Sequence, residues 1–294
     1  MSELCSDLSR RAGETLAATA TTAEQWLLLE VPGAWPRDVG DAAALPAETR
    51  EVVQGWLETT RRSRLQFIRR PGRKRASLLA FVVSSGEQES EVRRIELGGL
   101  LDLASLDLRN AGEIAETSLV LVCGHGSRDR CCALRGTELY GLLEARLGEE
   151  ELWISSHQAG HRFAPNLLVL PAGLQFGRVD PDDALFLAAR ALAGTIELDR
   201  YRGRTCYEGA VQAAELAVRR AARLDGLADL TLEAIEEHVI TFRVWDGSEY
   251  TVVVEERDGP PVPASCGAEP EPQLHFVATS VTANPASSRE RSGP

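Results

Sequence analysis

Lysine is almost missing from this chain of 294 residues: Lys74 is the only one, and methionine also occurs once. Basic charge is therefore nearly all arginine, a matter of codon usage more than of chemistry. Long apolar runs are missing too. The longest, such as 26–30 and 78–83, fall far short of the ~18–20 residues that span a bilayer, and the N-terminus shows no basic region followed by an apolar one. These absences lead to the expectation of a cytoplasmic protein with no membrane span. Six cysteines, at 5, 123, 131, 132, 206 and 266, are too few and too unevenly placed for a disulfide framework in a chain of this length. Acidic residues outnumber basic ones 44 to 32, a net charge of −12, so the molecule as a whole repels phosphate backbones and nucleic acid is not expected as a partner. No Gly-x-Gly-x-x-Gly follows a strand and no phosphate-cradling Gly-rich loop with Lys occurs. The recognisable sites for a nicotinamide, a flavin or a nucleoside triphosphate are thus absent.

What is present reads as folded α/β protein, 44% hydrophobic and 26% charged, with length for about two domains. Residues 1–113 read as an N-terminal α/β segment in β-α-β-β order: an apolar run at 26–31, a helix at 46–60, and strands at 64–70 and 76–83 around Pro71-Gly72. Inside it Arg61, Arg62, Arg64, Arg69, Arg70, Arg73, Lys74 and Arg75 form a basic cluster with no intervening acid, read as a solvated hairpin more readily than as a docking patch. Residues 114–225 read as strand (118–123), loop, helix (136–147), strand (151–156), loop, a hairpin around Pro171-Ala172-Gly173, and a helix from 181 to 194 opened by Asp180-Pro181-Asp182-Asp183. That order is thioredoxin-like, short of one helix before the hairpin, and the first segment is a candidate degenerate copy of it. Helical periodicity continues over 210–224. Residues 226–283 read as a small appendage, with a short helix at 231–238, a hairpin turning at Asp246-Gly247 and a strand at 273–281. Residues 284–294 have the composition of a disordered tail.

Two loops carry the chemistry, each following a strand: Cys123-Gly-His-Gly-Ser-Arg-Asp-Arg-Cys131-Cys132 and Ser155-Ser-His157-Gln-Ala-Gly-His161. Parallel strands of a β-α-β unit lie side by side, so their carboxyl-end loops emerge at one edge and Cys123 and His157 should be neighbours. Thiolates with imidazoles suit zinc, copper or an iron–sulfur cluster, not magnesium or calcium. Structural zinc usually sits in short Cys-x2-4-Cys knuckles, whereas eight residues separate Cys123 from Cys132, enough to pass around something larger than one ion. His125 reads as a supporting side chain, and Arg128 and Asp129 as locking the loop by pairing. Cys5, Cys206, Cys266, His238 and His275 read as structural or incidental groups.

At WLLLEVPGAW (26–35), VCGHGSRDRCCAL (122–134), LWISSHQAGHRFAPNLLVL (152–170) and PASCGAEPEPQ (263–273) the chain resembles the sucrase/ferredoxin-like family, thioredoxin-like ferredoxins with a [2Fe–2S] cluster. The resemblance implies two Cys and two His ligands, carried over to Cys123, Cys132, His157 and His161. Relatives have Arg-Cys-Gly where this chain has Cys131-Cys132-Ala133, so Cys132 aligns with the ligand and Cys131 replaces an arginine. Two thiolates neutralise an oxidised cluster core that four would leave at −2. Histidine on one iron accordingly goes with potentials of about −150 to +300 mV, against about −400 mV for plant-type all-Cys centres. The rings' remaining N–H groups lead one to expect electron gain coupled to proton uptake. The implied function is electron transfer with a redox partner protein, a reductase or an acceptor. Two alternatives use the same residues: a zinc-stabilised binding module on the Cys/His site, and a thiol–disulfide reductase using Cys131 and Cys132, although adjacent cysteines close only a strained ring. A glycosidase has no placed pair of carboxylates to rest on.

Overall fold

The computed structural model describes residues 3–40, 42–72 and 76–285. In chain order the elements are α1 (Cys5–Arg11), β1 (Gln25–Glu30), α2 (Ala47–Thr59), β2 (Ser63–Arg69), β3 (Leu78–Ser85), β4 (Ser90–Leu97), β5 (Glu113–Ile114), β6 (Leu119–Cys123), α3 (Thr137–Glu144), β7 (Leu152–Ser155), β8 (Leu167–Leu170), β9 (Leu174–Phe176), α4 (Ala184–Leu192), β10 (Tyr201–Arg204), α5 (Gly209–Ala222), β11 (Leu230–Glu236), β12 (Val239–Val244), β13 (Glu249–Pro263) and β14 (Pro270–Asn284). The architecture is α/β, with one large mixed sheet and a small antiparallel sheet at the C-terminal end. The large sheet runs β10-β9-β8-β6-β7-β2-β1-β3-β4-β5. It continues across the boundary expected at residue 113/114, because β2 pairs with β7.

Two halves of that sheet share one connectivity. In the first, β1 and β2 are parallel across α2, and β3 then β4 add antiparallel on the other side of β1. In the second, β6 and β7 are parallel across α3, and β8 then β9 add antiparallel beside β6. The strands at 64–70 and 76–83 are therefore not hairpin partners, since β1 lies between them. A short helical turn at His161–Phe163 stands before the β8–β9 hairpin. Among the described residues the halves join antiparallel at the ends of β2 and β7, through Ile68↔Ser155 and Arg69↔Ile154. The carboxyl ends of both crossovers thus meet at the middle of the sheet.

Sheet burial on two faces explains the apolar runs. Leu-Val-Leu-Val in β6 and Leu-Leu-Val-Leu in β8 are wholly buried, as expected of central strands covered on both sides. Alternate residues divide between two cores: Leu27, Leu29, Val120 and Val122 with Trp56, Leu139 and Leu187 on the helical side, and Trp26, Leu28, Leu119 and Leu121 with Phe81 and Trp153 on the other. Each such side chain contributes about 1.5–3 kcal/mol by leaving water. A third core forms where Val211, Ala214 and Val218 of α5 meet Ile240, Phe242, Val252 and Val254 of the small sheet.

Two sequence readings are corrected. The segment 231–238, expected to be helical, is largely strand β11, paired with β12; ladder pairing outweighs the helix preference of its Leu, Glu and Ala residues. The basic cluster is not a solvated hairpin. Arg62 pairs with Glu24 at 2.6 Å, and Arg70 pairs with Glu30 and lies over the Trp153 ring. Arg69 lies over Trp35, and Arg64 donates to the His157 carbonyl oxygen. Arg73, Lys74 and Arg75 lie outside the described residues. Of the expected tail, Asn284 ends β14, and residues 286–294 lie outside the described residues. Among the described residues no helix is long and apolar enough to cross a membrane.

Candidate metal centre

Cys123 closes β6, in register with Ser155 of β7. The chain then turns through Gly124–Arg128, and Asp129 starts the next helix by accepting the Cys131 amide on its carboxylate at 2.8 Å, an N-cap. Cys131 and Cys132 lie in the first turn, and the helix is widened over Cys132–Gly136 before α3 begins. This helix start lies hard against the end of β6: a Cβ at Gly136 would run into the Cys123 carbonyl oxygen. Close approach puts Cys132 Sγ 3.2 Å from Cys123 Sγ.

The histidine loop is built from buried polar anchors. Gln158 donates to the Leu121 carbonyl at 2.8 Å and Asn166 to the Gly160 carbonyl at 3.0 Å. Arg202, itself buried, donates to Asn166 Oδ1 and the Ala159 carbonyl. Gly160 takes a left-handed φ of 66° under the Arg202 guanidinium, leaving no room for a side chain there. Two donors, Arg64 and Gln66, converge on the His157 carbonyl at 3.0 and 3.1 Å.

Donor atoms of Cys123, Cys132 and His157 lie within 4.8 Å of one another. His161 stands beside them, its ring 4.9 Å from that of His157 between centroids. Its Nε2 lies 3.8 Å from Asp129 Oδ2, too far for a hydrogen bond. Nδ1 of His157 and both ring nitrogens of His161 are buried with no hydrogen bond of good geometry, the Ala264 backbone being the nearest acceptor to His161. Buried polar atoms rarely stay unpaired in a folded protein, and the pattern fits nitrogens reserved for a metal. His125 is different. Its Nε2 meets the Pro36 carbonyl at 2.8 Å and its Nδ1 accepts the His157 amide at 3.1 Å, so both nitrogens are spent on orienting His157. Arg128 and Asp129 do not lock the loop by pairing with each other: Arg128 faces Asp38 at 3.7 Å, and Asp129 accepts amides.

The charges favour thiolate and neutral imidazole. The Cys123 thiol is held well below its ordinary range by its contact with Cys132, reinforced by His157 and the Gln158 backbone. The same contact, with burial, pushes Cys132 up, so the pair keeps one proton on the Cys132 side. Burial lowers the His161 ring, which keeps it neutral and able to ligate. Burial also brings Arg202 down to about 9, with the Cys123 charge acting the other way. A cleft of about 280 Å³ opens beside His157, lined in part by Arg37, Asp38, Arg64 and Arg128.

The sequence missed a second gathering. Cys131, next to a candidate ligand, turns away from it to meet Cys5 and Cys266, each sulfur 3.4 Å off. The only signal was that Cys266 sits inside one of the four stretches that resemble the family.

Thiols and imidazoles at the carboxyl edge of an α/β sheet define the class: a Cys/His centre able to bind a metal. The chain belongs to the family described as sucrase/ferredoxin-like, which matches residues 16–203, well over half of its length. A protein of Meyerozyma guilliermondii described as altered inheritance of mitochondria protein 32 is 34% identical over 95 residues, covering 29% of this chain and 34% of that protein. A protein of the same description from Eremothecium gossypii is 40% identical over 72 residues, 24% of this chain and 21% of that protein. The matched stretches thus span about a third and a fifth of these relatives. No solved structure matches the chain.

Proposed function

We propose that this is a cytoplasmic electron-transfer protein with a thioredoxin-like ferredoxin domain, holding one [2Fe–2S] cluster on Cys123, Cys132, His157 and His161. The observation that carries the reading is the pairing of two thiols 3.2 Å apart with two adjacent imidazoles whose buried nitrogens lack a hydrogen bond of good geometry. When bound, such a cluster accepts and returns one electron at moderate potential. The chain's own residues do the rest. Cys123 and Cys132 would supply the two thiolate charges that neutralise the oxidised core, and the buried Arg64 and Arg202 guanidiniums feel the Cys123 charge. The His161 ring would be the fourth ligand, and its Nε2 stands 3.8 Å from the Asp129 carboxylate. His157 borders the Arg-lined cleft, the route by which electrons pass to and from a partner protein.

One observation favours a zinc-stabilised binding module: Cys123, Cys132 and His157 are close enough together to share a single ion. Metal analysis separates the two. Full-length protein purified without oxygen should be red-brown, with about two iron and two labile sulfides per chain. A colourless protein with zinc at this site and no sulfide overturns the cluster reading.

A further inference from the structure

Cys5, Cys131 and Cys266 come from the first helix, the helix after β6, and the tip of the long β13–β14 hairpin. Their sulfurs form a triangle with sides of 3.4, 3.4 and 3.6 Å. Asp129 completes the group, with all four donor atoms within 4.8 Å of one another. We propose that these four residues are a second metal site, distinct from the Cys123 centre, that takes one zinc-type divalent ion.

The geometry selects a single soft ion. Tetrahedral zinc, with bonds of about 2.3 Å to sulfur, holds neighbouring sulfurs about 3.8 Å apart, so these three need to open by only a few tenths of an ångström. Sulfurs already in contact cannot sit on the separate irons of a four-iron cluster. Three thiolates and a carboxylate exclude calcium and magnesium, which want oxygen throughout. Asp129 is held as a ligand would be. It is 5% exposed, and the Cys131 and Cys266 amides, each at 2.8 Å, fix its two oxygens against the sulfurs. Asp129 caps the helix, and the same carboxylate faces all three sulfurs. α1 is docked by its own contacts, Arg135 donating to Ser6 Oγ at 3.1 Å and pairing with Asp7. The hairpin holds its ladder to Pro263↔Pro270, just below the tip that carries Cys266.

Such a site ties the first helix and the β13–β14 hairpin to the helix that bears Cys132. Cys5 and Cys266 lie outside residues 16–203, which the family model matches, although Cys266 sits in a stretch that resembles the family. Asp129 and His161 stand between the two.

The test is metal content of the full chain purified without oxygen, wild type beside Cys266→Ser, Cys5→Ser and Cys123→Ser. One zinc per chain is expected in the wild type, retained in Cys123→Ser and lost in Cys5→Ser and Cys266→Ser, whatever becomes of the iron. Iron without zinc overturns the proposal, as does zinc lost from Cys123→Ser but kept in Cys266→Ser. Two zincs and no iron, falling to one in Cys266→Ser, supports the second site while sinking the cluster. Should the serine variants fail to fold, wild-type protein stripped of zinc and titrated with cobalt(II) decides. Cobalt that develops thiolate charge-transfer absorption, and that shields Cys5, Cys131 and Cys266 from alkylation mapped by mass spectrometry, upholds the site. Unshielded thiols, or a disulfide among the three in the freshly isolated chain, overturn it.

Discussion

The two halves of the large sheet have the same strand order and opposite endowments. After β1, the first half carries Trp35 and Pro36; after β6, the second carries Cys123, His125 and the Cys131-Cys132 pair. After β2 comes Arg70-Pro71-Gly72, and after β7 come His157 and His161. The first half has no histidine, and its one cysteine belongs to α1. It is nonetheless part of the site: the Pro36 carbonyl accepts from His125, the Trp35 carbonyl accepts from Ser127, and Arg64 and Gln66 hold the His157 carbonyl. One connectivity thus yields a reactive edge and a wall for it, because the halves meet carboxyl end to carboxyl end. Fold alone does not make the centre; the side chains at two strand ends do.

The sharpest contrast lies within the second half, between neighbouring cysteines. Cys132→Ser is expected to abolish iron binding, whereas Cys131→Ser keeps wild-type iron, because their sulfurs face different groups. Iron retained in the first variant and lost in the second reverses the assignment.

Next in size is a comparison between crossover helices. A Cβ at Gly136 collides with the end of β6, whereas Gly55, on the exposed side of α2, has nothing nearby. Gly136→Ala should destabilise by about 2–3 kcal/mol. Gly55→Ala should stabilise by up to about 1 kcal/mol through helix propensity. Urea denaturation of both variants measures the difference, and equal effects would mean that the two helices approach their strands alike.

His125→Ala cuts the link between the halves and strips the His157 amide of its acceptor, a loss of about 1–2 kcal/mol. Iron content should not change. If it drops to zero while the protein remains folded, His125 does more than join the halves and is required for metal binding.

The mildest effect is with pH. Burial lowers the rings of His125, His161 and His275 in the folded chain. The unfolded chain therefore binds more protons, and stability of the metal-free protein rises with pH, complete above the ordinary histidine value of about 6.5 and lost progressively below it. None of these rings is in the first half. Hydrogen exchange at pH 5.5 and 7.5 should show protection falling in the second half and the hairpin first; uniform loss would erase the contrast.

Some elements could be read directly because local signals agreed with their surroundings. The apolar runs of β6 and β8 belong to strands buried on both faces, Asp180-Pro181 opens the α4 segment, and Asp246-Gly247 turns the hairpin. Segment 231–238 could not, since its residues favour a helix and only the neighbouring strand makes it extended. The arginines of 61–70 read as surface charge because sequence does not show that Glu24, Glu30 and two tryptophans lie in reach.

By itself the sequence determined the α/β class and the family, and it made Cys123 and His157 neighbours, because a β-α-β unit brings the loops after its two strands to one edge; the full set of Cys123, Cys132, His157 and His161 came from the resemblance. Tertiary structure alone decided that Cys131 parts from Cys132, that His125 spends both nitrogens on its neighbours, and that Cys5 and Cys266 meet. The reason is distance along the chain. Cys5 and Cys266 stand 261 residues apart, and no local periodicity or spacing encodes a contact made only when a first helix and a late hairpin settle on the same side of one sheet.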